Sequence, residues 1–457
     1  MLRLLLLGVI PFFMPASGHR TESSFTPVEK VFPMHWKANM GNVCFRSNVL
    51  MNSNEIIIGS NGNNFMDYQL IDKKSGVYKI DRRTGKIKKH FGHEVIGDMD
   101  VNGILEWNDR LYISNDNEEI MCTTVDGDLI WSKPASGDIE HQPVLIKGKN
   151  ETYIVYATET GEVKAIRPTD GSTIWSYYTA DFKGWKPEDN RMIFKIRSYF
   201  SNTYSFFTKP VLSDLNRDGV NDLVYLCYGG EVYAINGHNG QLLWHNKKYR
   251  IFTLEQSKLA KDNNTIYAIG FPETENAYMD MGLRLIRIHT NGHYDELHKI
   301  SNDFSTSLNF YFHKNEIMMN TTDHVVVIKQ DNTLDSVNRQ LMITKNYNFD
   351  NDESSLFSNT YLENRNFRDM LFADKPFIYK NHGKCLINLV QVDQLNYQKG
   401  FIEIISLETK QIVERLQLPN TSEMQPHIDD INKDGKLDLL INCKDGNLYC
   451  YNLGVKV

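Results

Sequence analysis

The chain has 457 residues, 41% of them hydrophobic and 23% charged, with a formal net charge of −7. That is ordinary globular composition, and the acidic balance with no basic run longer than Lys88-Lys89 beside Arg82-Arg83 excludes a nucleic-acid-binding face. The 23 Tyr, 23 Phe and 29 Gly fit many short strands joined by tight turns.

Arg3 followed by the apolar stretch Leu4 to Phe13, and then by the small residues Ala16-Ser17-Gly18, reads as a signal peptide over 1–18. The stretch is too short to span a bilayer, and no later segment approaches the length of a transmembrane helix. The expected location is therefore secreted and extracellular, or periplasmic if the source is bacterial. Residues 19–457 read as one domain. The six cysteines (Cys44, Cys122, Cys227, Cys385, Cys443 and Cys450) form no C-x-x-C pair, so zinc and thioredoxin-like chemistry find no support. They sit in strand-like runs, where disulfide pairing and buried free thiols are both open.

Self-comparison exposes a repeated hairpin. GVYKIDRRTGKIKKHF (76–91), EIMCTTVDGDLIWSK (119–133), EVKAIRPTDGSTIWSYY (162–178) and EVYAINGHNGQLLWHNK (231–247) each hold an alternating strand, a turn of Asp, Asn or Gly, and a second strand ending near an aromatic residue. A second phrase precedes the hairpin: Gln142-Pro143-Val144, Lys209-Pro210-Val211 and Gln425-Pro426-His427 each open a strand that is followed by another apolar strand. Together they give strands A to D of one propeller blade.

In chain order the blades fall near 42–92, 93–134, 140–178, 209–247, 249–300, 307–341, 376–417 and 425–453, with insertions near 179–208 and 342–375. The first insertion carries Trp185, Tyr199, Phe200, Tyr204, Phe206 and Phe207, and loops this long are commonly functional. The last blade lacks a strand D, and Val31 to Ala38 supplies one, with Trp36 where Trp131, Trp175 and Trp244 stand. The expected fold is an all-β, eight-bladed β-propeller, with seven blades as the alternative, closed by the N-terminal strand completing the last blade.

Three segments place oxygen side chains at positions 1, 3, 5 and 9 with Gly at 6. They are Asp214, Asn216, Asp218 and Asp222; Asp430, Asn432, Asp434 and Asp438; and, least regular, Asp98, Asp100, Asn102 and Glu106. A tight loop with that spacing wraps a hard cation wanting six to eight oxygens, and the glycine permits the sharp turn. An apolar strand follows where an EF-hand would carry Glu and a helix, so the expected ion is Ca2+ in the A–B loop of a blade. The same residue types also build metal-free turns.

These A–B loops resemble the calcium-binding FG-GAP repeats of integrin α-subunit propellers. The C–D hairpins resemble the tryptophan-docking repeats of pyrroloquinoline-quinone-type propellers, notably Ala165 with Gly171 and Trp175, and Ala234 with Gly240 and Trp244. The resemblance implies that Trp131, Trp175 and Trp244 interlock neighbouring blades. It also raises a quinone-dependent oxidoreductase, but the chain has neither an adjacent Cys-Cys nor C-x-x-C-H, which argues against pyrroloquinoline quinone as cofactor.

At the start of strand A in consecutive blades stand His93-Glu94 and Glu140-His141, with His427 comparable in the last. Facing the central channel, such pairs would serve as acid and base or bind a metal; otherwise they hydrogen-bond between blades. Sequons occur at Asn150, Asn263, Asn320 and Asn420. With no recognisable catalytic set, the expectation is a non-catalytic calcium-binding scaffold whose face loops engage a protein or carbohydrate. An enzyme at the channel mouth is the alternative.

Overall fold

The computed structural model describes residues 32–44, 46–62, 75–92, 100–179, 206–227, 229–256, 265–272, 283–301, 309–314, 316–320, 324–329, 334–338, 367–394 and 397–457. Eight antiparallel sheets follow one another, each a meander whose strands run A-B-C-D from the ring's axis outward. Blade I spans Val49–Met51 to Ile87–Phe91, and blade II spans Val101–Trp107 to Leu129–Pro134. Blade III runs from Val144–Lys147 to Thr173–Tyr178, blade IV from Val211–Ser213 to Leu242–Asn246, and blade V from Tyr249–Gln256 to Tyr294–Ser301. Blade VI covers Tyr311–His313 to Leu334–Asn338, and blade VII Phe367–Phe372 to Gln411–Gln417.

Blade VIII takes strands A to C from His427–Asp429, Lys436–Cys443 and Asn447–Lys456, and its strand D is Met34–Asn39. Trp36 faces Cys450 and Lys37 faces Tyr449 in that ladder, so the ring closes through the N-terminal strand as the repeat pattern requires.

Strands B and C are buried on both faces because each sheet packs against the sheets before and after it. Val144, Val155, Tyr225 and Ile235 form one apolar layer between blades III and IV; Val224, Ala234, Ile266 and Ile286 form the next, between IV and V. This explains why the B strands read as continuous apolar runs rather than alternating ones. The six cysteines are free, buried thiols.

The strand-D aromatics dock in sequence around the ring. Trp36 covers Gly85, Phe91 covers Gly127, Trp131 covers Gly171, Trp175 covers Gly240 and Trp244 covers Gly292. Three of the indoles also donate across the blade boundary: Trp36 Nε1 to the Arg82 carbonyl (2.9 Å), Trp131 to Pro168 (3.2 Å) and Trp244 to Thr290 (2.8 Å). At Gly240 the backbone is left-handed (φ 73°), and a Cβ there would sit 2.4 Å from Trp175 Cε3.

Nearer the axis, side chains lace one strand A to the next. Asn48 pairs with both polar backbone groups of Ile104, donating to its carbonyl (2.9 Å) and accepting its N–H (2.8 Å), while Gln142 donates to the same carbonyl from the other side (3.0 Å). Asn309 and Gln425 repeat the arrangement on Phe372.

Two expectations are corrected. Strand A of blade VII is Phe367–Phe372, inside the stretch 342–375 read as an insertion; the segment taken for it instead forms Phe377–Ile378, a short extra strand on Lys384–Gln394. The third oxygen-rich segment is not an A–B loop. Asp100 only leads into strand A of blade II, which includes Asn102 and Glu106, because Val101 and Ile104 are drawn into the apolar layer between blades I and II. The A–B turn falls at Asn108-Asp109, both at positive φ, and Asp98 lies outside the described residues.

Candidate functional site

The two remaining oxygen-rich segments both lie where strand A turns into strand B, in blades IV and VIII, and they fold alike. In the first, Asp214 accepts the N–H groups of Asp218 (3.0 Å) and Gly219 (3.1 Å), and Asn216 Oδ1 accepts Asp218 N–H (2.9 Å). In the second, Asp430 accepts Asp434 (2.9 Å) and Gly435 (3.0 Å), and Asn432 Oδ1 accepts Asp434 N–H (3.0 Å). Arg217 and Lys433 share φ 61°, and Gly219 and Gly435 are left-handed at 88° and 81°. A Cβ at either glycine would meet nothing within 4 Å, so the glycine answers a backbone requirement rather than a lack of space.

The position-9 carboxylates differ. Asp222 is fully buried and tied down at both oxygens, by Leu215 (2.9 Å) and Asn216 (3.3 Å) on Oδ2 and by Gly237 (3.0 Å) on Oδ1. Burial raises its pKa against those N–H groups. Asp438 is equally buried and accepts Asn432 N–H (3.1 Å) on Oδ2, but its Oδ1 accepts no hydrogen bond. His35 Nε2 lies 3.2 Å from that oxygen and 3.8 Å from Asp434 Oδ2. Burial, aided by the Asp434 charge, pushes the Asp438 carboxyl up to about 6.

The donor types of the second loop, carboxylate and amide oxygens at alternate positions, are those a hard cation takes, and its one buried carboxylate oxygen without a hydrogen bond, Asp438 Oδ1, faces His35. Among the described residues no group of three or more His, Cys, Asp or Glu is arranged to hold a metal as it stands. In both loops the carboxylates engage the loop's own N–H groups.

The second loop is also held from outside. Arg82, in the C–D turn of blade I, donates from Nε to the Ile431 carbonyl (2.9 Å), from Nη2 to Asp430 (2.8 Å) and from Nη1 to Asn52 (2.7 Å). Nothing in the sequence marks Arg82; it is one of two arginines in an ordinary turn, and its role depends on a loop more than three hundred residues away.

On the opposite face, where strands D pass to strands A and B to C, the channel-mouth candidates separate. His93 and Glu94 lie outside the described residues. Glu140 forms a 2.7 Å ion pair with the buried Arg46. Burial works against the charged guanidinium, but the Glu140 charge outweighs it and holds the Arg46 pKa above its usual value. Burial and then the charges of Glu140, Asp138 and Asp100 hold the neighbouring Asp116 well above the usual carboxylate range. His141 joins neither group. Its Nδ1–H donates to the Gln142 carbonyl (2.9 Å) and its Nε2 accepts Ala157 N–H (3.1 Å), which fixes a neutral tautomer, and complete burial lowers its pKa to about 4. An imidazole so engaged is a structural bridge between strands rather than a base poised near neutrality. His427 begins strand A of blade VIII, with Nδ1 3.8 Å from Asp374.

A closed ring of eight blades, in which the strand-D aromatics Trp36, Phe91, Trp131, Trp175 and Trp244 sit on the next blade's C–D glycine, is a β-propeller, with repeats like those of pyrroloquinoline-quinone-type propellers over residues 73–292. Residues 73–292, from the C–D hairpin of blade I to the docking glycine of blade V, match the family model described as outer membrane protein assembly factor BamB. Solved structures share the fold at low identity. The crystal structure of BamB from Moraxella catarrhalis is 13% identical with a TM-score of 0.50, covering 92% of this chain and 100% of that one. Sqt1 of Saccharomyces cerevisiae is 9% identical (TM-score 0.54; 94% and 98% covered), and the designed Ika8 protein 12% (TM-score 0.52; 92% and 99% covered). No curated protein matches the sequence significantly. Among the described residues no helix is long and apolar enough to cross a membrane.

Proposed function

We propose that the chain is an exported, calcium-stabilised scaffold that binds a protein or carbohydrate partner through one face of its ring and carries out no chemistry of its own. The observation that supports this reading is a division between the faces. Both oxygen-rich loops turn on the A–B face. The two longest connections, from Tyr178 to Val211 and from Asn338 to Phe367, each link a strand D to a strand A, so both leave and re-enter the ring at the other face. Cations would then hold the frame on one side while the insertions meet the partner on the other. The spacing shared with FG-GAP loops supports calcium at Asp214, Asn216, Asp218 and Asp222 and at Asp430, Asn432, Asp434 and Asp438. The matched family's description as an assembly factor accords with a scaffold at a cell envelope.

The test has two arms. Chelation should lower the melting temperature, because a cation held at a hundredfold excess over Kd by the folded state alone contributes about 3 kcal/mol. Replacing residues 181–205 or 340–366 by a short Gly/Ser bridge should abolish capture of a partner from the exported fraction while leaving the melting temperature unchanged. Capture that survives both replacements would refute the binding face. Tight quinone binding with substrate-dependent dye reduction would replace the scaffold by an oxidoreductase.

A further inference from the structure

The fold treats the Asn-x-Ser/Thr signals of the sequence differently. Asn263 lies outside the described residues. Asn320 ends strand B of blade VI and is fully buried. Its Nδ2 donates to Asn388 Oδ1 (3.0 Å) and its Oδ1 accepts Asn388 Nδ2 (2.9 Å), a reciprocal amide pair across the seam between blades VI and VII. Asn420, in the connection from blade VII to blade VIII, turns its Oδ1 back onto Thr421 N–H (2.7 Å). The hydroxyl residue that completes its signal, Ser422, is fully buried, with its N–H held by Gln391 Oε1 (3.0 Å) and its Oγ accepting Met424 N–H (3.2 Å). Asn150 stands in the opposite setting. Strands A and B of blade III pair as far as Lys147 and Thr152, and Gly148 N–H closes the turn on the Glu151 carbonyl (2.9 Å). Lys149 and Asn150 are left exposed at the tip.

We infer that Asn150 is a glycan acceptor, modified through its side-chain nitrogen, and that the folded, exported protein carries no glycan at Asn320. The inference rests on the export reading given above, since the donor, a lipid-linked oligosaccharide pyrophosphate, is met only on the export route. In the transfer a bond forms between Asn150 Nδ2 and the anomeric carbon of the first sugar. The bond from that carbon to the pyrophosphate breaks, the lipid pyrophosphate leaves, and the amide gives up one proton to the transferase. Thr152, the hydroxyl residue of this signal, opens strand B at the foot of the turn and is only half-buried. At the tip a bulky, hydrophilic chain extends into water and displaces nothing. At Asn320 the same chain would have to enter a close-packed seam and part Asn320 from Asn388, so a molecule modified there could not seat blade VI against blade VII. The turn of Asn150 lies on the A–B face, away from the two longest connections, so a glycan there leaves the proposed partner face uncovered.

Expression of the full chain behind its own first residues in a eukaryotic secretory host, with peptide mass spectrometry of the protein in the medium, tests this. Enzymatic removal of N-linked glycans turns an occupied asparagine into aspartate and so marks each acceptor. The peptide holding Asn150 should carry the mark and the peptide holding Asn320 should not. Asn150→Gln and Thr152→Ala should each abolish modification at the turn, whereas Thr152→Ser, which keeps the signal, should retain it. The melting temperature of Asn150→Gln should match that of the enzymatically deglycosylated parent, because the side chain bears on nothing else in the fold. A chain recovered from the medium with Asn150 bare would sink the inference and leave the export reading standing. A chain retained in the cell with Asn150 bare would sink both. Occupied Asn320 in exported protein that melts as one cooperative unit would show that burial at the seam does not exclude the glycan.

Discussion

Acidification should weaken this protein through His141 in a defined window. In the unfolded chain the imidazole takes up a proton near 6.5; in the fold it does so only at about 4, because it is completely buried and its Nε2 is already accepting Ala157 N–H. Between those values the unfolded state binds more protons than the folded one, so stability rises with pH and is lost as pH falls from about 6.5 to about 4, with no further loss from this group below that. At about 1.4 kcal/mol per pH unit, the loss across the window is about 3 kcal/mol. Urea unfolding of the parent and of His141→Gln, at neutrality, midway through the window and at its lower end, measures it. Glutamine stays neutral throughout and keeps a donor and an acceptor. The parent should lose about 3 kcal/mol more than the variant. Equal losses in the two proteins would show that His141 is not the neutral bridge described here.

Gly240→Ala should cost at least about 2 kcal/mol, combining left-handed backbone strain with displacement of Trp175. Gly454→Ala, at φ 69° with open space around it, should cost only the backbone part, about 1 kcal/mol. Thermal melts of the two variants separate docking from strain, and equal shifts would count against docking. Arg415→Met takes the guanidinium away from the buried carboxylate of Glu403, 2.7 Å distant, and should destabilise by about 3–5 kcal/mol. Adding Glu403→Gln should recover much of that loss in urea unfolding.

The ring was legible because its information is local. Each hairpin carries its own strand, turn glycine and aromatic residue, and the missing strand D at one end is matched by Trp36 in a strand-like phrase at the other. Where the letters are local but the environment decides, the reading failed. Asp98 to Glu106 has nearly the same spacing as the two true A–B loops, yet Val101 and Ile104 find an apolar layer and extend the segment into a strand. Strand A of blade VII was missed because its ladder is irregular, with a register shift between Arg368 and Leu371, and Phe377–Ile378 offered a more regular apolar pair nearby. Arg82, His35 and the bridge made by His141 were invisible for a different reason: each depends on backbone groups or carboxylates brought near only by the folded ring.

The closing strand also sets when the fold can be completed. Asn39 and Asn447 face one another across 408 positions of chain. During synthesis from the N-terminus, Met34–Asn39 emerges long before its partner strand exists, and its paired edge waits uncovered. Blades I to VII can form from near neighbours as they appear, while the eighth must wait for Asn447–Lys456 to return to Met34–Asn39. A strand kept waiting that long is a natural target for a holding chaperone, and a place where two molecules exchange strands if the concentration is high enough.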